Sequence, residues 1–295
     1  MRTKALLGRY QWLASRRSND TMIYMRRLLA GHCVWIAALA IPIHVYGANN
    51  GATPEETEPV NILAEAKFTS EDGAKPKLPD FSDSKRRPER ERMVSQQIAA
   101  YDVSDPSVLA ALRNVPRHRL VPDQLAAYAY DDRPLPIGHG QTISQPYIVA
   151  LMTQLLDLDP QDNVLEVGTG SGYQAAILGL LTRNVVSIEI IEPLARRAAE
   201  DLAELGYENL TLLHGDGYFG YEEQAPYDAI IVTAAAEHIP PPLIAQLKPE
   251  GKMIIPVGRK GWTQNLILVR KNAKGRVSTQ NLLPVRFVPL TRKVK

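Results

Sequence analysis

A single cysteine, Cys33, stands in the 295 residues of the chain. That scarcity excludes an intrachain disulfide framework, a structural cysteine-based zinc site and an iron–sulfur cluster, each of which needs several thiols. A charge of one sign is equally lacking: 34 Lys+Arg against 32 Asp+Glu leave +2. No global basic field recruits nucleic acid, so a nucleic-acid partner is not expected. The six histidines are scattered with no pair at metal-ligand spacing, and the acids form no recognisable metal set, so no metal is expected. What is present is apolar content: 45% of residues, enough for one large domain with an appendage or for two small ones.

Charge and composition divide the chain into 1–48, 49–92 and 93–295. The first fifty residues carry seven Lys/Arg against Asp20 alone. Arg26-Arg27 precede an apolar run from Leu28 to Val45, followed by small residues at Gly47-Ala48, the pattern of an export signal. At about 18 residues the run 28–45 just reaches the length of a membrane anchor, against which Pro42, His32 and His44 speak. A non-native or untranslated extension is the other reading. Leu-Ala-Gly-His-Cys resembles a lipidation box, but its cysteine precedes the apolar run. From Asn49 to about Arg92 the chain is rich in Pro, Glu, Lys, Ser and Ala and reads as a disordered linker, too polar to offset its chain entropy. Its end, Lys85 to Arg92, interleaves basic residues with glutamates and reads as a solvated helix start. Met93 opens the patterned region and is a candidate alternative start.

Beyond Met93 the sequence predicts one compact domain. Ile98, Val103, Val108, Leu109 and Leu112 fall at helical spacing up to Pro116. Leu135 to Ile143, punctuated by Pro and Gly, reads as loop, and Ser144-Gln145-Pro146 opens a helix carrying Ile148, Val149, Met152, Leu155 and Leu156. Five short β-branched runs then alternate with helical stretches: Asn163–Val167, Val185–Ile190, Leu210–Leu213, Ala229–Thr233 and Lys252–Val257. That alternation predicts an α/β fold, a mostly parallel sheet with helices on both faces. Asn265–Arg270 and Leu282–Leu290, with no helix between them, predict an antiparallel C-terminal edge and a return segment.

The most informative stretch is Val164-Leu165-Glu166-Val167-Gly168-Thr169-Gly170-Ser171-Gly172-Tyr173, a strand entering a glycine turn and then a helix. Such a turn lets a ligand approach bare backbone and free N–H groups at the carboxyl end of the first strand. Glycine spacing narrows the ligand. Tyr173 stands where a dinucleotide fingerprint needs glycine, no lysine occurs between Asn163 and Asn184 for a phosphate loop, and Gly170 stands where a hydrolase elbow needs serine. What remains is G-x-G-x-G behind an acid, typical of S-adenosylmethionine methyltransferases, although a glycine turn is also a common structural corner. Glu189, at the end of the second strand, is placed to accept both hydroxyls of a ribose; Asp216, after the third, to accept from an adenine amino group; Glu166 to meet the methionine end. Each of the three, taken alone, also reads as a solvated loop carboxylate.

Further motifs make the likeness specific: Val115-Pro116-Arg117-His118; Pro134 to Pro146, which reads PLPIGHGQTISQP; Gly215-Asp216-Gly217; Asp228 to Ala235; and Val285-Arg286-Phe287-Val288-Pro289-Leu290. From Met93 to Lys295 the chain resembles the protein-L-isoaspartate O-methyltransferases. The resemblance implies a Rossmann-like methyltransferase fold that moves a methyl group from S-adenosylmethionine to the free carboxylate of an L-isoaspartyl residue in a damaged protein, initiating repair through a succinimide. It implies Ser144 as the active-site serine, where the residues alone read a helix N-cap. It further implies Glu166, Gly168, Thr169, Gly170, Gly172, Glu189, Asp216 and Gly217 around the donor, and Ile137, Gln141, Thr142 and Val288 along the substrate groove. His139 reads as a groove contact rather than a base, because a carboxylate needs none.

Other acceptors fit less well. Amino methylation usually goes with an Asn/Asp-Pro-Pro-aromatic motif where this chain has Thr233-Ala234-Ala235-Ala236-Glu237, and cytosine C5 methylation needs a cysteine near the site. A noncatalytic donor-binding module of the envelope is the reading of another class, suggested by the front segment. The positive-inside rule places the domain outside the cytoplasm, whereas the resemblance implies a cytosolic donor. The expectation adopted is a cytoplasmic enzyme, with export to the periplasm or membrane anchoring through the front segment as the alternative.

Overall fold

The computed structural model describes residues 86–292 and, ahead of them, Val60–Asn61 and Pro79. The signal-like run 28–45 lies outside the described residues, and among those described no helix is long and apolar enough to cross a membrane.

Order begins before the boundary expected at Met93. Helix α1, Arg87–Arg92, runs into a π-helical turn, Met93–Ile98. Arg90 is buried rather than solvated, and its Nε donates to the Arg113 carbonyl at 2.7 Å. Val60–Asn61, strand β1, pairs antiparallel with Leu213 and His214, so the segment read as linker also holds a strand. Open sheet edges accept such backbone pairing whatever the composition of the partner, which is why composition does not show it. The single helical stretch expected up to Pro116 is divided: α2, Pro106–Asn114, starts at Asp105, whose carboxylate accepts from Ser107 N and Val108 N.

The stretch expected as loop before Ser144 is a hairpin. Strands β2, Leu135–Gly138, and β3, Gln141–Ile143, pair antiparallel around Gly138-His139-Gly140, all at positive φ. Leu135, Ile137 and Ile143 anchor it in the core. Helix α3, Pro146–Leu156, follows as predicted, but Ser144 does not cap it. Asp132 does that from a distance, one carboxylate oxygen accepting from Tyr147 N at 2.7 Å and the other from Gln145 Nε2 at 2.7 Å. The hydroxyl of Ser144 makes no hydrogen bond among the described residues, and the N-cap reading is thereby corrected.

The central sheet combines β1 with β4 Asn163–Val167, β5 Asn184–Glu189, β6 Leu210–His214, β7 Tyr227–Val232, β8 Leu247–Val257, β9 Gln264–Lys271 and β10 Val277–Val285, in the order β1-β6-β5-β4-β7-β8-β9-β10. Strands β4 to β8 are mutually parallel, and β9 and β10 close the far edge antiparallel, as predicted. Helices α4 Tyr173–Leu181, α5 Glu192–Glu204 and α6 Pro241–Gln246 make the crossovers. Alternate side chains enter two cores. Val164, Val185, Leu212 and Ile231 face one, and Leu165, Val186, Leu213 and Ile230 face the other. The last strand departs from expectation: it begins at Val277 and leaves the sheet after Val285. Residues 286–290 then cross to Ala235, whose N–H donates to Val288 O and whose carbonyl accepts from Leu290 N.

The capping geometry yields a stability prediction. Asp132→Ala removes the acceptor of both α3 bonds and is expected to cost about 1–2 kcal/mol in urea unfolding. Ser144→Ala is expected to change stability by less than about 0.5 kcal/mol. Equal losses in the two variants would contradict the assignment.

Candidate functional site

Three parallel strands end side by side, and the site is built on their carboxyl ends. After β4 the chain turns through Gly168 at φ 102° and Gly170 at φ 55° before entering α4. A Cβ at Gly168 would stand 2.5 Å from Thr233 Oγ1, so neither the conformation nor the space admits a side chain. That hydroxyl is 2.6 Å from the Gly168 carbonyl and 3.0 Å from the Val167 carbonyl, tying the end of β7 to the turn. From the opposite side Gly168 N donates to Ile188 O. Behind the turn, the buried Arg117 guanidinium lies 4.8 Å from the Tyr173 ring centroid and its Nε donates to Ala129 O. The conspicuous Val-Pro-Arg-His motif thus supports the glycine turn from the core.

Two carboxylates flank the turn. Glu166 is fully buried; one oxygen accepts from Ser187 Oγ at 2.6 Å and the other, Oε1, has no partner. Burial, reinforced by the nearby Glu189, pushes its carboxyl up to about 8 despite the Ser187 bond. Glu189 ends β5, and its two oxygens accept from Gly170 N at 2.8 Å and Ile191 N at 2.9 Å. Burial raises this carboxyl too, opposed by those backbone bonds. An unsatisfied buried oxygen is costly, and the raised proton affinity of Glu166 relieves that cost by keeping the carboxyl protonated. The lone pairs left on Glu189 suit hydroxyl donors. Bare backbone between the two lets a flat or bulky ligand pass close.

The turn, the serine loop and residues 288–291 of the strap line one open cleft. Of the residues expected around the donor, Glu166, Gly168, Thr169, Gly170, Glu189 and Gly217 line it; Ser144, Gln141, Thr142 and Val288 line it from the groove side. Three expected residues do not. Gly172 faces α5, where a Cβ would lie 2.8 Å from Leu202 Cδ1, so its glycine serves helix packing. Ile137 is a buried hairpin anchor whose Cδ1 underlies Gly170. Asp216 is occupied: Oδ1 accepts from Tyr218 N, and Oδ2 accepts from Arg292 Nε at 2.8 Å while that guanidinium covers the Tyr218 ring at 4.0 Å. Its neighbour Gly217 lines the cleft, and a side chain there would collide with Val167 Cγ1 at 2.5 Å. His139 is exposed at the hairpin tip, outside the lining.

Sequence reading missed Ser171, Thr233, Ile190 and Ile191. Thr233 was detectable, as the first polar residue after an apolar strand. The pair Ile190-Ile191 was not, because apolar residues after a strand look like core. Among the described residues no cluster of three or more His, Cys, Asp or Glu is arranged to hold a metal ion.

Comparison with known proteins gives the site its context. The family model described as Protein-L-isoaspartate(D-aspartate) O-methyltransferase (PCMT) matches residues 88–295. A protein-L-isoaspartate O-methyltransferase 1 of Cupriavidus necator is 60% identical over 189 residues, which are 64% of this chain and 73% of that protein. A solved protein-L-isoaspartate O-methyltransferase superposes with TM-score 0.62 at 31% identity, over 68% of this chain and 65% of that one. A PCMT of Plasmodium falciparum, solved in complex with S-adenosyl-L-homocysteine, superposes with TM-score 0.60 at 27% identity, over 70% of this chain and 99% of that one.

Two predictions follow from the site's geometry. Gly168→Ala is expected to destabilise by about 2 kcal/mol, Gly170→Ala by about 1, because both are strained at positive φ but only the former also displaces the Thr233 hydroxyl from its two carbonyls; urea titration of both separates them. Glu166 binds a proton more tightly folded than unfolded. Its contribution is therefore fully present below about pH 4.5 and is lost as pH rises towards about 8. Glu166→Gln, which cannot ionise, is expected to gain stability relative to the parent between pH 5.5 and pH 8; a constant difference across that range would contradict the burial argument.

Proposed function

The chain belongs to the protein-L-isoaspartate(D-aspartate) O-methyltransferase family, and from that membership we propose that it methylates the free carboxylate of L-isoaspartyl residues in damaged proteins, with S-adenosylmethionine as donor. The observation that carries the reading is the convergence of Ser144 and the Gly168–Gly170 turn on one cleft, with the unpartnered oxygen of Glu166 at its base.

The residues present fit the donor. Glu166 takes the ammonium of the methionine moiety, Glu189 the ribose hydroxyls, and the backbone of Gly168, Thr169 and Gly170 admits the body of the ligand. In this reading Gly217 rather than Asp216 borders the adenine. Bound S-adenosylmethionine supplies a methyl carbon made electrophilic by the adjoining cationic sulfur. The acceptor carboxylate, with a reference pKa near ~4, is ionised at neutral pH, so the chain need remove no proton. Its task is placement, which by itself can account for several kcal/mol of a barrier. Ser144 Oγ donates to one carboxylate oxygen and leaves the other to react. Gln141 and Thr142 border the acceptor on one side of the groove and Val288 on the other, while Leu290 and Ile190 keep water out. Methoxide leaves more readily than the oxygen of a carboxylate, so the neighbouring peptide nitrogen attacks the ester carbonyl, gives up its proton and expels methanol to close a succinimide, which water opens partly to normal aspartate.

The partners are proteins and peptides bearing isoaspartyl residues. We assign the enzyme to the cytoplasm, where its donor is made; recovery of the intact processed protein from periplasmic or membrane fractions would overturn that assignment. For catalysis the test is methyl transfer to an isoaspartyl peptide. Ser144→Ala is expected to lower kcat about ten- to a hundredfold, the range of one hydrogen bond to a charged group, with the Kd for S-adenosylhomocysteine unchanged by calorimetry. Glu189→Gln is expected to weaken that Kd. Wild-type protein that binds the nucleoside without turning over the peptide would instead identify a noncatalytic binding module.

A further inference from the structure

The tip between β8 and β9 is the most conspicuous surface feature that the reaction does not use. It reads Gly258-Arg259-Lys260-Gly261-Trp262-Thr263, and Trp262 is 73% exposed, the highest value among the exposed large hydrophobic side chains. Arg259 and Lys260 are exposed as well, and neither forms an ion pair among the described residues; Glu237, which follows Ala236 in the chain, pairs with neither. An indole left in water forgoes the burial that ordinarily places tryptophan inside, and Trp and Arg are enriched among residues that dominate binding surfaces.

The tip is held in a defined shape at a defined place. Trp262 N donates to Arg259 O at 3.1 Å, and Gly261 at φ 79° occupies the third position of that turn, where a type II turn needs positive φ. Gln264, 2% exposed, connects the tip to the groove: its Nε2 donates to Trp262 O at 2.7 Å and its Oε1 accepts from Phe287 N at 2.9 Å. The next residue, Val288, lines the cleft. On the other strand of the hairpin, Gly258 N donates to the carbonyl of Ala236, two residues from the cleft-lining Ala234. Both ends of the tip are thus bonded to segments that wall the cleft.

We propose that Trp262, Arg259 and Lys260 form an outer subsite for the polypeptide undergoing methylation, which rests on the function proposed above. The occupant is the extended segment flanking the isoaspartyl residue. The indole takes an apolar or aromatic side chain of that segment, and the two cations take its carboxylates. The bonded path from Val288 through Phe287 and Gln264 to Trp262 puts the tip beside the groove wall, within reach of a substrate segment that continues past it. The subsite therefore acts on KM for long acidic substrates, leaving kcat and donor binding to the cleft.

Two isoaspartyl peptides with the same residues around the damaged position test this. One is a neutral hexapeptide too short to reach the tip; the other is a dodecapeptide carrying Phe and two Glu four to six residues from the isoaspartate. Trp262→Ser is expected to raise KM for the long peptide about tenfold with kcat unchanged, to leave the short peptide unaffected, and to be rescued by Trp262→Phe. Arg259→Ser with Lys260→Ser is expected to raise the same KM and to remove its dependence on salt. Unfolding midpoints equal to the parent's confirm that the turn variants fold. Equal effects on both peptides, or none on either, would overturn the subsite while the proposed reaction stands. Failure of the wild type to methylate either peptide would overturn both.

Discussion

The carbonyl ends of β4 and β7 are joined through one hydroxyl, and the site depends on that junction. Thr233 Oγ1 lies within hydrogen-bond reach of the carbonyls of Val167 and Gly168, at the place a Cβ on residue 168 would occupy. The glycine is therefore a packing requirement before it is a binding device. Because the turn cannot shift away from β7, its backbone stays open toward the cleft, and the strap paired with Ala235 closes over the same strand end. Donor turn and groove wall are positioned from a single strand.

Buried charge is the second organising cost. Glu166 sits with an unsatisfied oxygen, and Glu189 is buried but held by two backbone N–H groups. A fold under selection for stability alone would remove the first of these, since an unpaired buried acid costs more than an apolar residue of similar shape. Its place at the end of the central strand puts that cost beside the cleft, where the proposed donor binds. Ser144 follows the same logic in milder form. Asp132 takes over the capping of α3, so the serine hydroxyl is left without a hydrogen bond among the described residues, beside the cleft.

Legibility varied with the range of the interactions concerned. The five parallel strands were readable because each carries successive residues buried on both faces and so shows a short, largely apolar run. The glycine turn and its two acids were readable because each stands at or near the end of a recognisable strand, Glu166 on β4 and Glu189 on β5. Misreadings arose where the partner lies far away in sequence. Gly172 looked like part of the ligand loop, but Leu202 requires it. Asp216 stood at the proper strand end for an adenine contact, yet Arg292, at the end of the strap, bonds it. Ser144 looked like the cap until Asp132 filled that place. The edge pairing of Val60–Asn61 and the burial of Arg90 left no mark in composition, because polar segments pair or bury according to what the fold presents to them.

By itself the sequence determined the α/β alternation, the antiparallel edge, the glycine spacing that singles out the donor class, and the motifs that tie the chain to its family. These are local properties, set by period and by residues adjacent along one strand and its turn. Tertiary structure alone decided that Asp132 rather than Ser144 caps α3, that Arg292 bonds Asp216, that Leu202 leaves no room for a side chain at Gly172, and that an exposed tryptophan is bonded to residues beside the cleft. Such outcomes depend on contacts between residues tens of positions apart, where burial and competition for hydrogen-bond partners, rather than propensity, assign each side chain its role.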